Sequence, residues 1–163
     1  MKIAIVYYSK TGKTRQLIEY IYHKLKYFGE EVDVFMVRPV REYSSRLLHL
    51  NPRILYETML SRSIPIKGDE GFKPETYDVV IIATPIWWGM EAPPIRSFVQ
   101  KYASLIKTPT YCIATADLPI DYASKLMKTL ETQGYRVKEC IQVVEFEKDR
   151  SKIDAMLNKF RKT

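Results

Sequence analysis

The segment Ser9-Lys10-Thr11-Gly12-Lys13-Thr14 places three hydroxyls, a glycine and two lysines just behind the apolar run Ile3-Ala4-Ile5-Val6. Its last three residues match the end of a nucleoside-triphosphate P-loop, but that motif needs a glycine five positions before Gly12, where this chain has Tyr7. No predicted strand ends in the carboxylate that would complete a magnesium site. Such a turn can converge backbone N–H groups and the hydroxyls of Ser9, Thr11 and Thr14 on one anion at a helix N-terminus, which describes a cradle for a monophosphate. Lys13 would then supply charge and no chemistry. A second candidate is the loop that follows Asp78-Val79-Val80-Ile81-Ile82-Ala83, reading Thr84-Pro85-Ile86-Trp87-Trp88-Gly89-Met90. Paired indoles in a loop offer a stacking face for a flat ring, and Gly89 lets the backbone come close to it.

These loops need elements to hold them. Ile3 to Tyr7 reads as a strand covered on both faces, and from Lys13 the period changes, with Leu17, Ile18, Ile21, Leu25 and Phe28 at helical spacing and Gly29 as the stop. Val32 to Val37 gives a second strand, so the unit predicts a parallel pair with a right-handed crossover. After Pro39 come about forty less regular residues, with helical patches around Leu47, Leu48, Ile54, Leu55, Met59 and Leu60; a helical connection containing an insertion is expected. Pro93-Pro94 marks a helix start with Ile95, Phe98, Val99, Tyr102 and Ile106 buried. A strand over Thr110–Ala114, a helix carrying Tyr122, Leu126, Met127 and Leu130, a strand over Tyr135–Phe146 and a terminal helix with Ile153, Met156, Leu157 and Phe160 complete the chain. Alternating strands and helices imply an α/β doubly wound sheet, whose ligand site lies beyond the carboxyl ends of the strands. That selects Ser9–Thr14, Thr84–Met90 and a third loop, Thr115-Ala116-Asp117.

With 163 residues, one domain over 1–163 is expected, with a basic, helical insertion around 38–77. The N-terminal apolar run is too short for a signal sequence or a membrane span, so a cytoplasmic protein is expected. Cys112 and Cys140 are each flanked by strand-type residues and read as buried thiols instead of a disulfide or a nucleophile. The charge of +7 concentrates in 38–67 and from Lys148 onward, either as solvated faces or as a docking surface for an acidic protein or polyanion. Nucleic-acid binding is the competing class, resting on Tyr43, Arg46, His49, Arg53 and Tyr56 without a reading motif. No acid/base pair, catalytic residue or metal site is identified.

The motif Ser9-Lys10-Thr11-Gly12-Lys13-Thr14 resembles the FMN-phosphate loop of flavodoxin-like proteins, written Ser/Thr-x-Thr-Gly-x-Thr. Asp78 to Gly89 followed by Pro93-Pro94-Ile95-Arg96-Ser97-Phe98 is similar to the third strand, flavin-side loop and helix start of that family. The resemblance implies a three-layer sandwich with five parallel strands in the order 2-1-3-4-5. It also implies FMN as cofactor, with Ser9 to Thr14 on the phosphate, Pro85, Ile86, Trp87, Trp88, Gly89 and Met90 by the ring, and Thr115, Ala116 and Asp117 as further contacts. Two features depart from the family: the third loop lacks its usual glycine, and the chain is basic where the small carriers are acidic. The implied function is an electron carrier serving a redox protein, acidic in one reading, or a small NAD(P)H/quinone-type oxidoreductase acting on a small-molecule acceptor. The alternative is a flavin-free interaction domain on the same scaffold.

Overall fold

The computed structural model describes residues 1–44, 51–60 and 63–161. Its elements run β1 (Lys2–Tyr7), α1 (Lys13–Tyr27), β2 (Glu31–Met36), β3 (Arg38–Pro39), α2 (Pro52–Met59), β4 (Ile66–Lys67), a 3-10 turn (Pro74–Thr76), β5 (Val79–Trp87), β6 (Met90–Glu91), α3 (Pro93–Tyr102), β7 (Pro109–Thr115), α4 (Tyr122–Thr132), β8 (Arg136–Val143) and α5 (Phe146–Asn158). Five strands pair in parallel in the order β2-β1-β5-β7-β8, which is the expected 2-1-3-4-5 order. Short β6 turns back antiparallel on β5, and β3 pairs with β4 in a separate two-stranded ribbon.

Alternation along the strands explains their unbroken apolar runs. Ile3, Ile5, Ile81, Ile113 and Ile141 face one side, where Leu17, Ile18, Ile21 and Leu25 of α1 and Ile153, Met156 and Leu157 of α5 cover them. Ala4, Val6, Val80, Ile82 and Ala114 face the other, under Ile95, Phe98 and Val99 of α3 and Leu126 and Leu130 of α4. In β1, β5 and β7 both faces are thus removed from water and a polar side chain there is costly, whereas the edge strands β2 and β8 carry exposed Glu31, Arg136 and Lys138. Chain order reverses between β1 and β5, and the loops after β1, β5 and β7 meet above that point.

Three expectations need correction. The third strand does not stop at Ala83 but continues to Trp87, because β6 pairs with its last two residues; most of the expected loop is strand. Phe146 opens α5 and does not end the fifth strand: Asp149 accepts hydrogen bonds from the N–H of Val144 and Glu145, which start the helix there. Cys112 and Cys140 occupy opposed positions on β7 and β8 with Cα atoms 4.4 Å apart and are joined as a disulfide. Flanking residues alone report burial; the register that brings two cysteines together is set only by the fold. Of the insertion, Leu47 and Leu48 lie outside the described residues, while Asn51 caps α2 through the Arg53 N–H and Pro52 occupies its first turn.

Candidate functional site

The loop after β1 is organised from within. Ser9, nearly buried, accepts from the N–H groups of Gly12 and Arg15, each at 3.2 Å. Gly12, at φ 95°, holds the N-cap of α1 without a capping side chain, which leaves the first-turn N–H groups of Lys13 and Thr14 outside the helical ladder. The hydroxyls fare differently. Thr14 Oγ1 lies 2.8 Å from Thr115 Oγ1, which itself donates to the Thr84 carbonyl, so Thr14 is the donor of that pair. This buried chain ties the bases of all three loops together. Ser9 and Thr14 therefore shape the cradle, while Thr11 stays exposed at its rim.

Lysines border the cradle with separate tethers. Lys13 Nζ donates to the Ala116 carbonyl at 2.9 Å and to Asp117 at 3.1 Å, linking the first loop to the third. Lys10 lies 3.7 Å from Glu42. The cavity beneath, about 70 Å³, is lined by Lys10, Thr11, Lys13, Thr14, Pro85, Ile86, Trp87, Thr115, Ala116 and Asp117.

A second cavity of about 370 Å³ opens beside it, between Ile86, Trp87, Trp88 and Gly89 on one wall and Ala116, Asp117, Leu118 and Tyr122 on the other. Ile86, Trp87, Ala116 and Asp117 line both, so the two form one cleft running from the cradle to the tryptophans. That volume lies within the usual range for small-molecule sites. The tryptophans have separate tasks. Trp87 is buried between the ring edges of Tyr8 and Tyr43, at centroid distances of 5.5 and 5.6 Å. Trp88 is 53% exposed and stands with φ 52° beside Gly89 at φ 75°. Two positive φ values between the paired residues Trp87 and Met90 make a two-residue hairpin turn, normally occupied by Asn-Gly. A tryptophan there is a strained choice. Met90 lines neither cavity.

Tyr122 and Leu118 belong to the cleft and are missing from the sequence reading, which placed Tyr122 on the buried face of a helix. Gln142 is a further unread contributor: it accepts from the Tyr122 N–H at 2.7 Å and donates to the Leu118 carbonyl at 3.1 Å, fixing the third loop to β8. A glutamine alternating with strand residues carries no signal of this in the sequence.

The insertion braces the back of the tryptophan wall. Arg96, 2% exposed, donates to Glu91 at 2.7 Å and to the carbonyls of Glu57 and Thr58, joining α3, β6 and the end of α2. Tyr43 donates to Glu57, which also takes Arg53 at 2.8 Å, and the Arg53 guanidinium lies over the Tyr43 ring. Tyr43 and Arg53, read as part of a surface for nucleic acid, are thus engaged with each other and with Glu57, while Arg46 and His49 lie outside the described residues. Burial pushes the Tyr8 and Tyr43 hydroxyls well above the ordinary tyrosine value, with Glu57 adding to the effect at Tyr43, so neither is an acid at neutral pH. Among the described residues no cluster could hold a metal ion, and no helix is long and apolar enough to cross a membrane.

No family model matches the sequence, and no curated relative does. Solved structures do match. A protein from Bacteroides eggerthii described only as a flavoprotein is 26% identical over 99% of both chains, with a TM-score of 0.76. A flavoprotein from Lactobacillus acidophilus, solved in complex with FMN, is 17% identical over 94% of this chain and 98% of its own, with a TM-score of 0.69. The flavodoxin of Streptococcus pneumoniae is 17% identical over 97% of this chain and 96% of its own, with a TM-score of 0.59. The chain has the flavodoxin-like fold, an α/β sandwich around a parallel sheet.

Proposed function

We propose that this chain is a cytoplasmic FMN-binding redox protein, a single domain over 1–163 with an insertion at 38–77. The observation that carries the reading is the continuous cleft at the reversal of strand order, a cradle of N–H groups and lysines at one end and aromatic walls at the other. The donor set fits a phosphate: helix-start N–H groups, Thr11 and two lysines whose partners are a carbonyl and exposed carboxylates. The wider end fits a flat ring between Trp88 and Tyr122. The fold neighbour that binds FMN supports the same assignment.

When bound, FMN supplies the electron-accepting ring. The residues of this chain do the holding. Ser9 shapes the loop, Lys10, Thr11, Lys13 and Thr14 border the phosphate end, Pro85, Ile86 and Trp87 line the middle, and Trp88, Gly89, Ala116, Asp117 and Tyr122 enclose the ring. No side chain is assigned as general acid or base, which favours an electron carrier over an enzyme that activates its substrate. A small NAD(P)H/quinone-type oxidoreductase remains the second form of the same proposal, since nicotinamide chemistry on a flavin needs no protein acid.

The test is titration of purified protein with FMN, followed by quenching of flavin fluorescence. Saturable, stoichiometric binding is expected. Lack of binding overturns the redox reading and leaves an interaction domain. With loaded protein, reoxidation of NADPH-reduced flavin by a quinone separates reductase from carrier.

A further inference from the structure

Lys125 reaches from α4 to the hairpin that forms one wall of the ring-side cavity. It stands on α4 one helical turn after Tyr122, so both side chains leave the helix on the same face. Its ammonium donates to the Gly89 carbonyl at 2.7 Å, the tip of the β5–β6 hairpin. A Cβ placed on Gly89 would stand 3.6 Å from the Tyr122 ring and 4.0 Å from Lys125 Nζ. The two residues thus pack beside Gly89 at van der Waals distance, and Lys125 straps one cavity wall to the helix that carries Tyr122 of the other. The helix that carries it is itself fixed, because Asp121 accepts from the Ser124 N–H and Gln142 holds the Tyr122 N–H.

Two further facts give this strap a consequence. The turn it holds contains Trp88 in a left-handed conformation that a free hairpin would leave readily. The cations at the other end of the cleft, Lys10 and Lys13, each face a carboxylate, whereas Lys125 donates to a neutral carbonyl. Its positive charge therefore rests on the carbonyl dipole of Gly89, a residue of the cavity wall.

Resting on the FMN reading above, we propose that Lys125 is a positioning residue that holds the Trp88–Gly89 turn closed against the ring and biases the bound flavin toward its reduced form. Reduction by two electrons and one proton leaves negative charge on the ring, and a nearby cation favours that product over the neutral oxidised form. The strap also limits the width of the slot, and so adds to affinity by preorganisation.

The experiment compares wild type with Lys125→Met, Lys125→Arg and, as a control for overall charge, Lys26→Met at the exposed end of α1. FMN affinity is measured by fluorescence. The oxidised/reduced equilibrium of the loaded proteins is then read against a reference dye, with dithionite supplying the electrons and solvent the proton. Lys125→Met should weaken FMN binding at least fivefold and move the equilibrium at least threefold toward the oxidised form. Lys125→Arg should restore the equilibrium, and Lys26→Met should change neither. In protein without flavin, amide exchange at Gly89 and Met90 should quicken in Lys125→Met alone. An unchanged equilibrium in loaded Lys125→Met, or an equal shift in Lys26→Met, overturns the proposal while the FMN reading stands. Wild type that takes up no FMN overturns both.

Discussion

Trp88 is the residue at which local cost and use diverge. Its side chain is more than half exposed and its backbone adopts a conformation favoured by Asn or Gly, so neither burial nor turn chemistry accounts for a tryptophan. Enclosing a ring, the role proposed for it above, would. Replacing Trp88 with Asn should leave stability unchanged or raise it by up to about 1 kcal/mol, because the left-handed strain is relieved and little packing is lost. The same change should weaken FMN binding about tenfold, roughly the 1.4 kcal/mol of a lost aromatic contact. Thermal melts and fluorescence titrations on one preparation check both halves. If affinity stays put, Trp88 is not a wall of the ring site. The neighbouring Trp87 belongs to the core, a distinction that the dipeptide in sequence could not carry.

Between elements, the decisive contact is the buried Arg96–Glu91 pair with the carbonyls at the end of α2. Arg96→Met would leave Glu91 charged and uncompensated at the base of the hairpin, a loss of about 3–5 kcal/mol that urea unfolding would register. A second element-level prediction concerns acid. Burial alone would raise the Asp149 pKa, but Lys152 and the N–H groups of Val144 and Glu145 outweigh it and hold the carboxyl below its usual value. A lowered folded value means the stabilisation is full above the ordinary carboxylate pKa, about 3.9, and is lost as pH falls through the folded one. Asp149→Ala should therefore cost about 1 kcal/mol at neutral pH, with the gap to wild type closing in acid. These ties also mark where the sequence is legible. Alternation and period locate the five parallel strands, α1, α3, α4 and α5, because covered faces leave a pattern in one stretch of chain. Gln142, Lys125 and Arg96 act across 20 to 39 residues, and the disulfide depends on the β7–β8 register. No local pattern encodes such pairings, so the cleft was readable as three loops while its fastenings were not.

For the whole molecule the charge of +7 is a statement about encounter. Reduced, FMN-loaded protein should react with ferricyanide, an anionic acceptor, at a rate that falls as salt rises; a cationic acceptor should show the opposite trend in stopped-flow traces. Equal salt dependence for both would remove steering as an account of the basic surface. The sheet order has a different consequence, concerning how the chain reaches this state. β1 lies between β2, its neighbour in sequence, and β5, whose pairing begins with Ile3 against Val79. While the chain emerges from a ribosome, β1 and β2 can dock under α1, yet one edge of β1 and its Ala4–Val6 face stay bare until β5 has been made. Closing that gap carries a large loop-entropy cost before any contact repays it. The central pair is thus a late event in synthesis, and the interval before it is when this protein is most open to chaperones and to sticking to its own copies.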